Sequence, residues 1–378
     1  MERIYLDYAA TTPLDNQILE KMLPYFTEEF GNPNSPHATG RKAMAAVDNA
    51  RDTLAELLNA KPSEIYFTSG GTEADNWAVL GGAYAQREKG KNHVIVSGIE
   101  HHAVLSAAER LEKEGFEVTY LPVNEKGLVL PETLKAALTE KTGLVAIMLA
   151  NNEVGSVQDV QTLARLTHEN GSVFFTDAVQ AAPYLSLDVK ALGVDMLSIS
   201  AHKFYGPKGV GALYVKSGVK ILPHALGGEQ ERGLRGGTLN VPMIVGLAAA
   251  YEKNQATMSA TNEKLASLRT LFLEKICALK GVSVNGENAL PSILNIRLKG
   301  VSNVALLYNL DLQGVSAAAG SACASSSVLP SHVLTAMGLT KEEANECIRL
   351  SFGKHNTEEE VLRTAEIFKD VVNKLRNE

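Results

Sequence analysis

The sequence predicts an α/β fold in which a large domain built on a mostly parallel sheet is followed by a smaller α+β domain. Three observations carry that expectation. From Glu64 to Thr176, apolar strand-like runs alternate with amphipathic helical stretches, the mark of βαβ units and a parallel sheet. Two further apolar runs, Met196 to Ile199 and Val210 to Val215, then flank a polar turn carrying His202 and Lys203. Beyond Tyr251 the alternation changes character, with strands set around shorter helices. The division expected is residues 15–251 for the large domain, with 1–14 and 252–378 forming the small one.

The chain has 378 residues, 45% hydrophobic and 21% charged, ample for a large core. A net charge of −7 argues against a nucleic-acid groove of its own. No apolar run is long enough to cross a bilayer, and the N-terminus lacks an apolar signal core. With three cysteines, one is left over from any disulfide framework, which fits a reducing cytoplasm.

Taken in order, the first segment is short and extended, turning at Pro13 into a helix from about Gln17 to Phe26. A turn-rich stretch, Gly31 to Gly40, leads into a long amphipathic helix, Arg41 to Leu58, with Ala43, Val47, Ala50, Leu54 and Leu57 on one face. Glu64 to Thr68 is a strand, followed by the glycine turn Ser69-Gly70-Gly71-Thr72 and a helix from Glu73 towards Gln86. Strand, glycine turn and helix in that order make a phosphate cup, because free N–H groups at the helix start favour an anion. A tight strand-to-helix turn with no ligand reads from the same residues.

Strands follow at His93 to Ser97, Glu117 to Leu121, Leu144 to Leu149 and Val173 to Thr176, with helices at Ala103 to Glu114, Pro131 to Leu138 and Val160 to Asn170. Ligands of such sheets sit beyond the C-terminal strand ends. Those ends carry Glu100, His101 and His102; Asn151, Asn152 and Glu153; and Asp177 with Gln180. Singly, Asp177 reads as an N-cap, His101 as a core histidine and Asn151 as a turn residue. Together with the glycine cup and Lys203 they make a candidate site. Lys203, at the end of a buried strand, is poorly solvated, which lowers an amine's pKa and permits a Schiff base; a surface lysine on a hairpin reads equally well.

The stretch Gly227 to Thr238 is a charged loop, too glycine-rich for a helix, suited to closing over a site or reaching a neighbouring subunit, or to plain surface. Helices follow at Val241 to Tyr251 and Glu263 to Lys280, then strands at Val282, Ser292 to Leu298 and Ile348 to Phe352 around helices at Asn303 to Leu310 and Lys341 to Cys347, with a last helix from Glu358 to Leu375. Cys277 and Cys347 sit among apolar neighbours and read as packed, inert thiols. Cys323 lies in the run Ala317 to Pro330, rich in tiny residues, which favours an accessible, reactive thiol.

Together these residues resemble the cysteine desulfurases of the IscS/NifS type (group I), pyridoxal-phosphate enzymes of aminotransferase class V. The resemblance rests on Tyr5-Leu-Asp-Tyr-Ala-Ala-Thr-Thr-Pro13, Ser69-Gly-Gly-Thr-Glu-Ala-Asp-Asn76, Glu100-His-His-Ala103, Asn151-Asn-Glu-Val-Gly155, Ala201-His-Lys-Phe-Tyr-Gly-Pro-Lys-Gly209, Arg235-Gly-Gly-Thr238 and Gly320-Ser-Ala-Cys323. It implies fold type I, a large domain with a mostly parallel seven-stranded sheet, and a homodimer.

The resemblance also implies roles. Lys203 carries the Schiff base to pyridoxal 5'-phosphate, Asp177 pairs with the ring nitrogen, Gln180 bonds the ring oxygen, and His101 stacks on the ring and serves in acid–base steps. Gly71, Thr72, Ser200 and His202 hold the phosphate, with Thr238 arriving from the second subunit. Asn151 and Arg349 orient the carboxylate of L-cysteine. Cys323 takes the sulfur as a persulfide and hands it to an acceptor, an iron–sulfur scaffold or a tRNA-thiolating enzyme; no catalytic metal is expected, though Cys323 is able to ligate a transferred iron–sulfur cluster. The chain stops soon after its last helix, where longer relatives continue into a scaffold-docking segment, so both acceptors stay open. Alternatives are another class V enzyme, such as a selenocysteine lyase or transaminase, and a non-catalytic sulfur-assembly subunit.

Overall fold

The apolar runs of the large domain become one seven-stranded sheet in the computed structural model, which describes residues 3–286, 289–320 and 330–377. Its strands are β1 (Ile65–Thr68), β2 (His93–Ser97), β3 (Glu117–Leu121), β4 (Thr142–Ala146), β5 (Val173–Asp177), β6 (Met196–Ser200) and β7 (Gly211–Val215), in the order β1-β7-β6-β5-β4-β2-β3. The pairs β6–β5, β5–β4, β4–β2 and β2–β3 are parallel, and β7 alone runs against its neighbours. Only the edge strand β3 exposes side chains to solvent, which is why its sequence alternates while the inner strands are continuously apolar. Every strand that bears a candidate site residue therefore delivers it to one edge.

A second sheet is antiparallel, with β8 (Val282–Asn285), β9 (Ile293–Leu298) and β10 (Cys347–Ser351) in the order β10-β9-β8. The N-terminal strand Ile4–Tyr5 pairs in parallel with Val315–Ser316, and Leu6 accepts a hydrogen bond from Ser351 N–H at 2.8 Å. The chain's first residues are thus fixed by its last third.

Three expectations are corrected. The strand expected over Leu144 to Leu149 begins earlier and pairs over Thr142–Ala146, where Thr142 meets His93 across a register shift. The two helices expected on either side of residue 252 are one helix, α1 (Val241–Ile276), so the division placed near Tyr251 falls inside a continuous element. Its polar middle contains no glycine or proline to stop it. That stretch lies over a neighbouring loop, where Asn254, Gln255 and Asn262 donate to the carbonyls of Pro183, Ala182 and Tyr184.

Cys277 is exposed, not packed, because Leu268, Phe272 and Ile276 hold the buried face of α1 and the next position turns outward; Cys347 is buried as expected. The glycine-rich loop forms no regular helix, in keeping with its composition: its turn Gln230–Gly233 places Glu231 at φ 45 and Arg232 at φ 58. Glu231 is buried there, taking Arg51 in two bonds of 2.9 and 2.6 Å and the Phe67 N–H at 2.9 Å.

Candidate active site

The strand edge closes around a cavity of about 200 Å³. After β1, Gly70 adopts φ 153, a conformation only glycine takes readily, and the helix α2 (Gly71–Asn76) starts at once. A Cβ at Gly71 would stand 2.8 Å from a Val179 methyl, so the absent side chain lets two strand ends meet. Gly71, Thr72 and Asp75 face the cavity from this turn. Behind it, Glu73 takes the Ser69 N–H at 2.7 Å and two bonds from Arg235, at 2.8 and 3.1 Å. Burial works against its charge, yet Arg235 and Ser69 hold the carboxyl at about 2.

His101 follows β2 and caps the next helix. The Ala103 N–H donates to its Nδ1 at 3.1 Å, so the neutral ring carries its proton on Nε2. Burial, with Lys203 adding to it, lowers the imidazole to about 4, and the ring is neutral at physiological pH. Beside it, Glu100 is enclosed, accepting from Ser97 and from the Met148 N–H at 2.8 Å, and burial pushes it up to about 8.

From β5 come Asp177 and Gln180. Asp177 accepts the Val179 N–H at 2.8 Å, and burial raises it to about 6 against the pull of that bond and of Lys203. Gln180 Oε1 is buried without a partner among the described residues. After β6 the turn Ala201–Lys203 presents Ser200, His202 and Lys203. Lys203 Nζ donates to the carbonyls of Ala9 and, at 3.1 Å, Ala10. His202 bonds Thr11 at 3.1 Å, and burial lowers its ring to about 4. Tyr205, at φ 63, fixes this turn by donating its N–H to Thr12 at 2.8 Å and accepting the Lys354 N–H at 2.8 Å.

Across the cavity stands Arg349 of β10, 1% exposed. It donates to Asp7 at 2.7 Å and to the Asn152 carbonyl at 2.8 Å, while its Nε has no partner among the described residues. A guanidinium this enclosed, with an unused N–H, is suited to a carboxylate.

Nine of the expected residues thus line one cavity: Gly71, Thr72, His101, Asp177, Gln180, Ser200, His202, Lys203 and Arg349. Asn151 stands apart. Its amide donates to Ile99 O at 3.0 Å and accepts the Glu153 and Val154 N–H groups at 2.8 and 3.0 Å, and it is Asn152 that reaches the lining. Thr238 is exposed on its loop and away from this cavity, and Cys323 lies outside the described residues. Asp75 was not among the expected site residues. Its signal was readable: it sits three positions after Thr72, on the same helix face, among the apolar Ala74, Trp77 and Ala78.

The family model for class V aminotransferases matches residues 4–363. The chain belongs to the class V aminotransferase family. A curated relative, "Cysteine desulfurase IscS" of Clostridium botulinum (strain Hall), is 48% identical over 380 positions, covering 99% of this chain and 96% of that protein. Among solved structures, a "NifS-like protein" superposes with a TM-score of 0.92 at 38% identity, covering all of both chains. Another, "SspA in complex with cysteine", gives 0.83 at 39% identity, with 94% of this chain and 100% of that one covered.

The family is pyridoxal-phosphate dependent, and the cavity fits that group. It supplies a lysine, a buried carboxyl for a ring nitrogen, an unpartnered buried amide oxygen at Gln180, and a glycine cradle with two hydroxyls for a phosphate.

Proposed function

We propose that the protein is a pyridoxal-phosphate-dependent cysteine desulfurase that converts L-cysteine to L-alanine and passes the sulfur on through Cys323. The observation that carries this reading is the convergence of Lys203, Asp177 and Arg349 on one cavity from three separate elements. When bound, the cofactor supplies an electron sink for the substrate's Cα. Asp177 holds the ring nitrogen, Gln180 bonds the ring oxygen, and Gly71, Thr72, Ser200 and His202 hold the phosphate. Arg349 pairs with the substrate carboxylate, aided by Asn152. Asn151 contributes by fixing the turn that presents Asn152.

Lys203 takes the proton from the substrate Cα. It acts there as the neutral amine, and the Ala9 and Ala10 carbonyls that accept from its Nζ fix where the side chain lies in the cavity. His101, neutral with its proton on Nε2, stacks on the ring and donates that proton during turnover. The Cys323 thiolate forms an S–S bond to the substrate sulfur as the Cβ–S bond breaks; the carbon takes up a proton and leaves as alanine. The products balance as L-alanine and a persulfide on Cys323.

The exposed Thr238 completes the phosphate site of a second copy in a homodimer, and the exposed Phe30 and Leu226 support such a contact. The acceptor is a sulfur-handling protein of iron–sulfur cluster assembly or tRNA thiolation, in the cytoplasm. Among the described residues no helix is long and apolar enough to cross a membrane. We read the chain as residues 15–251 against 1–14 with 252–378, a division that the separate three-stranded sheet supports and that α1 runs across.

The test is sulfide release from L-cysteine. Cys323→Ala is expected to keep the cofactor's visible absorption and to bind L-cysteine while releasing no sulfide. Full sulfide release from that variant would sink the reading.

A further inference from the structure

Asp75 is as enclosed as any catalytic residue, at 1% exposed, and lines the cofactor cavity, yet the chemistry above gives it no task. Its Oδ1 accepts the Ser198 hydroxyl at 2.6 Å. Ser198 lies on β6 directly opposite Asp177 of β5, and its carbonyl accepts the Ala178 N–H at 3.1 Å. That hydroxyl is bonded to Asp75, and its dipole favours the charged form of Asp177 on the neighbouring strand as well. The Ser198 side chain therefore links Asp75 to the strand position opposite Asp177.

Charge decides how the pair must be arranged. The charged and titratable groups bearing on it are Glu100, from the end of β2, and Lys203, from the turn after β6. Three carboxyls and one lysine cannot all ionise in a closed, poorly solvated space without a large penalty. The contacts break the tie. Asp177 has a backbone N–H, from Val179 at 2.8 Å, and the field of Lys203, both of which favour a carboxylate. Asp75 has the Ser198 hydroxyl, and Asp177 and Glu100 both repel its charge. Burial acts in the same direction, raising Asp75 well above the ordinary range. The proton of the pair belongs on Asp75 and the charge on Asp177.

The geometry points to Asp75 as a positioning residue of the cofactor's ring-nitrogen site: a neutral acid that fixes the Ser198 hydroxyl beside Asp177, so that a single negative charge faces the ring. The inference rests on the reading that Asp177 pairs with that nitrogen. Asp75 itself transfers no proton in the reaction. It sets how many charges the ring nitrogen meets, and therefore how firmly the ring is held and at what pH its absorption titrates.

The experiment is equilibrium binding of pyridoxal 5'-phosphate to the apoprotein, together with a pH titration of the visible band of the loaded protein. Asp75→Asn keeps an oxygen for Ser198 and has no charge to gain. It is expected to bind within about twofold of the parent with an unmoved titration midpoint at neutral pH. Asp75→Ala frees Ser198 and is expected to bind about tenfold more weakly, with a shifted midpoint. Ser198→Ala should reproduce that loss, and the double variant Asp75→Ala/Ser198→Ala should bind no more weakly than either alone.

Equal losses for Asp75→Asn and Asp75→Ala would overturn the inference, because the charge itself would then be at work. So would unchanged binding by Asp75→Ala. If Asp75→Ala does not fold by circular dichroism, Ser198→Ala and Asp75→Asn decide the matter by the same criteria. Asp177→Asn separates the two levels. Should it bind and titrate like the parent, the ring-nitrogen reading of Asp177 fails; should it shift while Asp75→Ala and Ser198→Ala do not, only the role of Asp75 falls.

Discussion

Glu231 and Asp177 are buried to almost the same degree, 4% and 5% exposed, and their surroundings could hardly differ more. Glu231 carries its own counter-ion: Arg51 grips it with two bonds, and the Phe67 N–H takes part as well. Asp177 faces a cavity, with two other buried carboxyls near it and Lys203 as the nearby cation. A satisfied buried charge holds the fold together, whereas a cluster of acids short of cations is set up to receive a positive group. The Glu231 side of the comparison is structural, and the Asp177 side is chemical.

The strongest way to break that contrast is Lys203→Ala. On the chemical side it should abolish the visible absorption of the bound cofactor and cut sulfide release by about 10³-fold or more, leaving the thermal melt nearly unchanged. Loss of activity through a collapsed melt would place Lys203 on the structural side instead. The mirror experiment is Arg51→Ala. It strands Glu231 as an uncompensated buried charge, with an expected cost of about 3–5 kcal/mol measured by denaturant unfolding. The protein that remains folded should bind the cofactor with ordinary affinity.

Arg349→Lys sharpens the boundary, since Arg349 is bonded on one side and unpartnered at Nε. Lysine keeps the charge and loses the fork, so KM for L-cysteine should rise about 10- to 100-fold with a smaller change in kcat. An unchanged KM would remove the guanidinium from substrate binding. Smallest is a pH effect on the apoprotein. The folded-state carboxyl of Glu100 is raised to about 8 from an ordinary 4.5, so the native state binds more protons than the unfolded chain between those values. Its contribution to stability is therefore present below about 4.5 and lost as pH rises through about 8. Glu100→Gln should flatten that part of the stability–pH curve in urea titrations.

Much of the site was legible because strand ends are legible. Continuous apolar runs place β2, β4, β5 and β6, and the residues just after each run must emerge at one edge, which is how His101, Asp177 and Lys203 could be grouped before any coordinates. What escaped was tertiary in origin. The polar middle of α1 looks like a linker by hydropathy alone, and only the loop at Pro183 and Tyr184 explains its amides. Glu231 reads as an exposed charge because nothing nearby in sequence indicates Arg51, 180 positions away. Cys277 was misread by one position of helical phase. Asp75 was passed over because an acid near a helix's first turn is the ordinary expectation, although its apolar neighbours Ala74, Trp77 and Ala78 mark it as enclosed.

The opening segment of the chain holds both halves of the site at once. The carbonyls of Ala9 and Ala10 receive Lys203, while Asp7 receives Arg349, 342 positions downstream. During translation Asp7 is made long before its partner Arg349 on β10. The Arg349 side of the cavity therefore cannot close on a nascent chain until β10 has been made. Premature termination before β10 would leave Asp7 without its guanidinium and the first strand's neighbour Leu6 without its Ser351 bond. Truncated products should accordingly be marked for proteolysis at their N-terminus, the end that was made correctly.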